Sequence, residues 1–450
     1  MTSVPTAPGG RTAGAPRRPG PVPPAVGQRP GAPATPPAGA PAKTTSRREG
    51  LRRTPGRLRA LIALSILVSL IVAACGVLLG TLTTATTSRV VERVDSILEL
   101  QTARSDLVAA NGTASNAFLV GGLEPTPQRE AYVLELADGT SRIAALADSD
   151  ADPENTLGPV AASLTTYSGL IEQARANNRQ GFPVGAAYLD TASVLLAQDV
   201  LPPIDEAIVR NADAAARDLN SASATSSLLW IVVAGVVILV AIQVWLARRM
   251  RRTINPAMLV GTLVVLVAWL ACTIAASGSN DTLRETRQNP YAATLATSQA
   301  LSLAGEARTA ESFGLIQRGS GAASEETFTA LVAEAEDQLD RPAVTGTLVA
   351  DALADWVGGH EAIRALDDAG DWDGAVALAT DTAETAPTAQ YVAFTTTANA
   401  EVERLSEEAR DGFRSAGSGV TVASWTLVAA GLACAVLSWR GLNKRLEEYR

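Results

Sequence analysis

The chain alternates between long apolar stretches and long polar ones. Four apolar stretches, near residues 61–82, 228–246, 258–276 and 421–439, contain no charged residue. Each is close to the ~20 residues that a helix needs to cross a ~30 Å hydrocarbon layer. Their flanks are uneven. Arg47, Arg48, Arg52, Arg53, Arg57 and Arg59 precede the first stretch. Arg248, Arg249, Arg251 and Arg252 follow the second, and Arg440, Lys444, Arg445 and Arg450 follow the fourth. Short basic flanks stay on the cytoplasmic face. Both termini and the middle loop are therefore expected inside a plasma membrane, with residues 83–226 and 277–420 outside. The first stretch begins too late and runs too long for a signal peptide.

Charge follows the same division. The two outer segments carry 9 basic against 19 acidic residues and 9 against 24, although the whole chain stands at only −9. Residues 1–57 are mostly Pro, Ala, Gly, Thr and Arg. Such a segment buries too little apolar surface to offset chain entropy, and a disordered cytoplasmic tail is expected. The expected order is tail 1–57, span 58–82, outer segment 83–226, span 227–247, basic loop 248–255, span 256–276, outer segment 277–420, span 421–439 and inner tail 440–450. Arginine greatly outnumbers lysine and alanine is abundant, a composition of high-GC bacterial genomes.

The outer segments are rich in Ala, Leu, Glu and Arg and poor in β-branched runs, which predicts helices. Breakers at Gly121–Gly122, Asp152–Pro153 and Gly181–Pro183 leave helical stretches near 85–120, 128–149, 154–180 and 184–226. Gly319–Gly321, Pro342 and Gly370 divide the second segment similarly. Pro202–Pro203 and Pro387 are expected to interrupt the last helix of each segment. The fold class is then an all-α membrane protein: four transmembrane helices, two duplicated extracytoplasmic four-helix bundles and a disordered tail.

The duplication is read from a shift of 189 residues. It sets Tyr167 on Trp356, Gly169 on Gly358, Glu172 on Glu361, Arg175 on Arg364 and Gly181 on Gly370. Glu172 and Arg175 lie on one helix face and can pair. Tyr167 and Trp356 are expected to anchor a bundle core, and Gly181 and Gly370 to end helices with φ > 0. The bland reading makes these residues scaffold; the alternative makes the arginines a site for an anionic ligand.

Little else points to chemistry. The one histidine, His360, has Ile171 as its repeat partner and reads as a lone exposed or half-buried side chain. The three cysteines fall inside the apolar stretches, so no external disulfide framework or cysteine metal site is expected. There is no phosphate-binding glycine loop after a strand. The polar content of the spans is Ser, Thr, Cys and Gln243, with no charged residue, which argues against a pump or channel. No catalytic residue, cofactor or nucleic-acid partner is expected, and the cytoplasmic pieces are too small for an enzyme.

The Arg-rich middle loop leading into Ile254-Asn255-Pro256, the ending Arg440–Arg450 and the four-span topology resemble the GlnX-type membrane proteins of actinobacteria. The resemblance implies a relay from a substrate-binding lipoprotein for glutamine, glutamate or aspartate to the cytoplasmic Ser/Thr protein kinase G. Each outer segment also resembles the four-helix ligand-binding domain of chemoreceptors. The expectation is a non-enzymatic signal transducer, in which Arg248, Arg249, Arg251, Arg252, Arg445 and Tyr449 dock the inner partner. A direct small-molecule receptor and a structural or transport accessory are the alternatives, and a homodimer is compatible with each.

Overall fold

The computed structural model describes residues 54–121, 123–149, 151–181, 183–224, 227–250, 255–318, 321–344 and 348–447. The tail expected to be disordered lies almost wholly outside these residues, as do Arg251 and Arg252. Among the described residues there is no strand. Helix α1 spans Thr54–Val120 without interruption and measures about 100 Å at 1.5 Å per residue. It stops at Gly121, whose φ of +66° ends the helix. The first half continues with α2 (Thr126–Ala147), α3 (Val160–Arg179), α4 (Val184–Leu195), a π-helical turn (Leu196–Val200) and α5 (Leu201–Ala224). Helix α6 (Ser227–Met250) and α7 (Pro256–Gln288) follow. The second half comprises α8 (Pro290–Ile316), α9 (Ala322–Leu339), α10 (Leu348–Asp368), α11 (Trp372–Ala379) and α12 (Pro387–Glu447).

Four helices are long and apolar enough to cross a membrane. They are the N-terminal part of α1, α6, α7 and the C-terminal part of α12. Together they bury Val72, Leu239, Val265 and Leu427 between them and leave Leu67, Trp230, Val267 and Val422 exposed around the outside. So large an apolar surface is stable only in contact with other apolar matter.

Without a hydrophobic drive between helices in lipid, close backbone packing and interhelical hydrogen bonds must hold such a bundle. A Cβ added to Gly431 of α12 would stand 2.8 Å from the Ala73 nitrogen of α1, and one added to Gly76 would stand 2.9 Å from the Ser424 oxygen. Only glycine allows that approach. Gln243 of α6 donates to Thr262 Oγ1 of α7 (2.6 Å), Trp269 to the Leu229 carbonyl (3.2 Å) and Cys272 Sγ to the Ala423 carbonyl (3.1 Å).

The Asn255-Pro256 motif is a helix start. The Asn255 side chain caps α7 by accepting from the Ala257 amide, and Pro256 takes the first helical position, where no N–H is needed. Gly441 of α12 packs against Asn255 so closely that a Cβ there would lie 2.7 Å from Asn255 Nδ2.

Beyond the apolar layer, α1, α7 and α12 continue into a polar helical body, where α5 joins them. Val90, Val94, Leu98, Ala409 and Phe413 form its collar, with Leu219, Leu283 and Tyr291 around them. The first half then builds a core on Leu107, Ile143, Tyr167, Leu189 and Ile204. The second builds one on Ala304, Phe328, Trp356 and Phe394. The halves meet where α1 crosses α8. A Cβ on Gly112 would stand 3.3 Å from the Gly305 carbonyl oxygen, and one on Gly305 2.6 Å from Val108 Cγ1.

Gly181 and Gly370 adopt φ of +71° and +82°, as helix ends require. Of the two proline expectations, one needs correction. Pro202–Pro203 follow directly on the π turn at Leu196–Val200, which interrupts the α-helical hydrogen bonding between α4 and α5, and α5 runs on to Ala224. A π turn shifts the hydrogen-bond register by one residue, so the missing amides are accommodated there. Pro387 begins α12 rather than interrupting it, in the first turn where proline is tolerated. The sequence reading missed the break at Asn289–Pro290, where ψ of −87° at Asn289 separates α7 from α8.

The glycine contact is testable. Gly431→Leu should force α1 and α12 apart, at a cost of about 1–3 kcal/mol. The purified protein in detergent should then melt several degrees lower, whereas the lipid-facing Val436→Leu should leave the melting temperature unchanged.

Candidate functional site

Two clefts flank the crossing of α1 and α8, and corresponding elements line them. One, of about 590 Å³, is walled by α1, α4 and α5 of the first half and by α8 and α9 of the second. The other, of about 470 Å³, is walled by α8 and α12 of the second half and by α1 and α2 of the first. Each therefore includes the first and last helices of one half and the first two of the other, and the larger one adds α4.

The larger cleft contains Asn111, in the last three turns of α1. Its Oδ1 accepts from Tyr167 (3.2 Å) and Ser193 (3.0 Å), and its Nδ2 donates to Thr309 of α8 (3.3 Å). Arg104 bridges the halves through Asp205 (2.9 Å) and Glu306 (3.1 Å). Burial pushes the Glu306 carboxyl up, against the pull of Arg104. The π turn borders this cleft.

The smaller cleft has Asp106 and Glu135 on one wall and Arg308, Thr388 and Tyr391 on the other. Burial pushes Glu135 up to about 7, against the Thr113 hydroxyl that donates to it at 2.9 Å, and the Asp106 charge adds to the rise. Burial likewise pushes Asp106 up to about 6, opposed chiefly by Arg142. Behind the other wall lies a buried polar chain. Arg308, 2 % exposed, donates to Glu311 (2.5 Å) and to Thr388 Oγ1 (3.0 Å), and its guanidinium lies 5.3 Å from the centre of the Tyr391 ring. His360 stands 2.9 Å from Glu311 and 3.2 Å from Glu325 and stacks on Phe328 at 3.5 Å. Burial raises the Glu311 carboxyl, but Arg308 and His360 beside it hold it below the usual range.

His360 is therefore not the exposed or half-buried side chain that the sequence indicated; it is 3 % exposed and bonded at both ring nitrogens. Its partners come from α8 and α9, tens of residues away in sequence, so no local pattern marks them. The Arg308/Glu311 pair has the spacing of an ordinary solvated ion pair. Only the run of small residues around it, which lets α8 be buried on most of its faces, hints at burial.

The residues that the 189-residue shift sets on one another divide differently. Tyr167 and Trp356 are both fully buried in their cores. Arg175 donates to Glu172 (3.0 Å) and Glu124 (2.9 Å) and lies 4.1 Å over the Tyr132 ring. Arg129 also reaches Glu172 at 3.0 Å. The arginines there are already matched by carboxylates, which leaves little for an anionic ligand. Arg364 pairs with Glu325, Asp367 and Asp368, while Glu361 is exposed. On the basic side of the apolar layer, Arg248 is exposed near the end of α6, next to Arg249. Arg445 lies in the last turn of α12, and Tyr449 lies outside the described residues.

Residues 86–220 match the family model of the actinobacterial sensor domain. The matched segment runs from the outer part of α1 through most of α5 and includes Arg104, Asp106, Asn111, Glu135, Tyr167 and Arg175. No curated protein and no solved structure matches the chain. The match fits an actinobacterial sensor protein with a signal-sensing role, and the four apolar helices fit a membrane protein.

Two outcomes follow from the buried charges. Arg308→Met leaves Glu311 without its main counterion and should cost about 3–5 kcal/mol in chemical unfolding, much of it regained in Arg308→Met/Glu311→Leu. Glu135 has a folded pKa raised from 4.5 to about 7, so its neutral form contributes stability below 4.5 that is lost as pH rises through 7. Glu135→Gln should accordingly melt near the wild type at pH 4.5 and above it at pH 8.

Proposed function

We propose that this protein is a non-enzymatic transmembrane signal transducer whose polar helical body senses outside the cell and whose spans carry the result inward. The observation that carries this reading is continuity. Helices α1 and α12 each run without a break from the cleft walls to the far side of the apolar layer. A helix cannot stretch, so a shift of ~1–2 Å at the clefts is delivered along its axis or as a rotation. The duplicated pattern and the corresponding cleft walls support two repeated four-helix units acting as a pair.

In this reading the arginine flanks face the cytoplasm and the membrane is the plasma membrane. The input is a substrate-binding lipoprotein for glutamine, glutamate or aspartate, and the output a cytoplasmic Ser/Thr kinase, as the GlnX-like features imply. Arg248, Arg249, Arg251 and Arg252, with Arg445 and Tyr449, form the inner docking surface. The packing of Gly441 on Asn255 supports grouping the loop with the tail, because it brings the end of α12 to the start of α7. A second reading, direct binding of a small molecule, is favoured by the two inter-half clefts.

Reporter fusions should give an external signal at residues 150 and 350 and an internal one at 252 and 450. Deletion of residues 443–450 should leave insertion intact and abolish the kinase-linked response to amino acids. A truncated protein that signals normally would remove the tail from the output surface.

A further inference from the structure

The ring of His360 lies between two carboxylates. Its Nδ1 stands 2.9 Å from Glu311 of α8 and its Nε2 3.2 Å from Glu325 of α9. An ionised carboxylate only accepts, so each contact needs an N–H on the ring nitrogen that makes it. A neutral imidazole carries one N–H and can make one of the two contacts; the imidazolium carries two and makes both. Each carboxylate is also held by an arginine. Arg308 donates to the other oxygen of Glu311 (2.5 Å), and Arg364 Nε lies 3.2 Å from the Glu325 oxygen that His360 meets. The proton that completes the cluster therefore belongs on the ring.

Helix α9 makes both of the contacts that depend on the ring's charge. Phe328 stacks on the imidazole at 3.5 Å with the planes 16° apart, and an aromatic face attracts a cation. Glu325 supplies the second hydrogen-bond acceptor. The Glu311 side chain is 1 % exposed, so no water can take the ring's place there, and the last N–H of a neutral ring stays on Nδ1. Glu325 is 36 % exposed, and solvent and Arg364 can replace the ring beside it. Loss of the proton to water from Nε2 thus leaves the bond to α8 intact and loosens α9 alone. Glu325 lies in the first turn of α9, and Ala323, Ser324, Thr327 and Leu331 of the same helix line the larger cleft.

We propose that His360 is a proton-binding site through which the protein senses pH: the imidazolium clamps the start of α9 to α10, and the neutral ring releases it and reshapes the larger cleft. The proposal rests on the sensing reading and goes beyond it in naming a stimulus, a proton that reaches the polar body from outside. The 189-residue shift sets Ile171 in the place of His360, within the core of the first half, so the device belongs to the second half alone.

The groups around the ring leave it the centre of any pH response. Helix α8 contributes Arg308 and Glu311, and α9 contributes Glu325. Helix α10 itself contributes Arg364, with Asp367 and Asp368 bound to it, while Glu361 is exposed. Helix α12 contributes Gln390, packed on the neighbouring Gly359, and Tyr391, beside Arg308. Burial holds the Tyr391 hydroxyl well above its usual range, so it stays neutral. Burial raises the Glu311 carboxyl, but Arg308 and the ring hold it below the usual range, so it stays charged. An arginine keeps its charge throughout, and an imidazole is the side chain that ordinarily changes charge between pH ~5 and ~8.

The chain has one histidine, so the ring can be followed alone. The test uses the full chain in nanodiscs, labelled with 15N at histidine and purified without a histidine tag. Solid-state NMR should find one protonated ring nitrogen at pH 9 and two at pH 5. The distance between spin labels at exposed Ala187 of α4 and Ala330 of α9, across the larger cleft, should change by about 2 Å with the same midpoint. His360→Gln should abolish that change. Should this variant not fold, Glu325→Gln decides: its amide can donate to the lone pair of a neutral ring, so the contact survives at both pH values and the distance should stay constant while the NMR step remains. Glu326→Gln, exposed one residue further on, should keep the wild-type change. A ring that keeps one state from pH 5 to pH 9, a distance that does not follow the ring, or a distance change that persists in Glu325→Gln would overturn the proposal. In proteoliposomes the step should follow the pH on the side away from the arginine flanks; a step that follows the other side overturns sensing from outside. Spin labels at residues 248 and 440 separate the site from the relay. A pH step in α9 that moves neither keeps the site and removes the relay; movement there without a step in α9 does the reverse.

Discussion

A peptide group inside hydrocarbon has no water to bond, so each one must be satisfied within its own helix. That constraint underlies the rest of this structure. It makes the four apolar segments helices whatever their propensities, and it makes them rigid. Because α1 and α12 continue past the apolar layer without a breaker, the same rigidity extends into the polar body. The collar of Val90, Val94, Leu98, Ala409 and Phe413 carries it across.

Rigid helices must still be held together, and in lipid burial alone does not do it. Here the contact is made by absent side chains. Gly76 and Gly431 bring α1 and α12 to backbone distance in the apolar layer, and Gly112 and Gly305 do the same for α1 and α8 in the body. These two close approaches make α1 the shared axis of the molecule. The clefts arise beside the second approach because two helices touching at glycines diverge on either side of the contact. Polar groups then collect there: Asn111, Arg104 and Glu306 in one cleft, Asp106, Glu135 and Arg308 in the other.

The buried charges show how differently local and long-range pairs behave. Arg175 and Glu172 are neighbours on one helix, and because the Glu172 carboxylate is half-open to solvent their pairing is of modest worth. Arg308, Glu311 and His360 are drawn from two helices into the interior of the second half, where the buried Arg308 and Glu311 charges depend on each other to be tolerated. Such a chain holds α8 and α10 in one register, with α9 joined through Glu325.

Much of the architecture was legible in the sequence. The apolar runs marked four helices long enough to span, and the breakers located most helix ends. Gly181 and Gly370 announced positive φ, because few other residues adopt it. Glu172 and Arg175 could be paired on sight, since a spacing of three puts them on one face. These are properties of neighbouring residues, which a linear pattern records. The prolines were read less well. Whether proline starts, kinks or merely shifts a helix depends on where the adjacent amides find acceptors, as Pro202 and Pro387 show. The clefts were not legible at all. Asp106 and Glu135 are 29 residues apart and Glu135 and Tyr391 far further, and nothing local distinguishes them from the other acidic and aromatic residues around them. The chain's local pattern determined which segments are helical and which are apolar. Tertiary packing alone decided which charges lose their water, because burial depends on the helices that close over a residue and not on its neighbours in the chain.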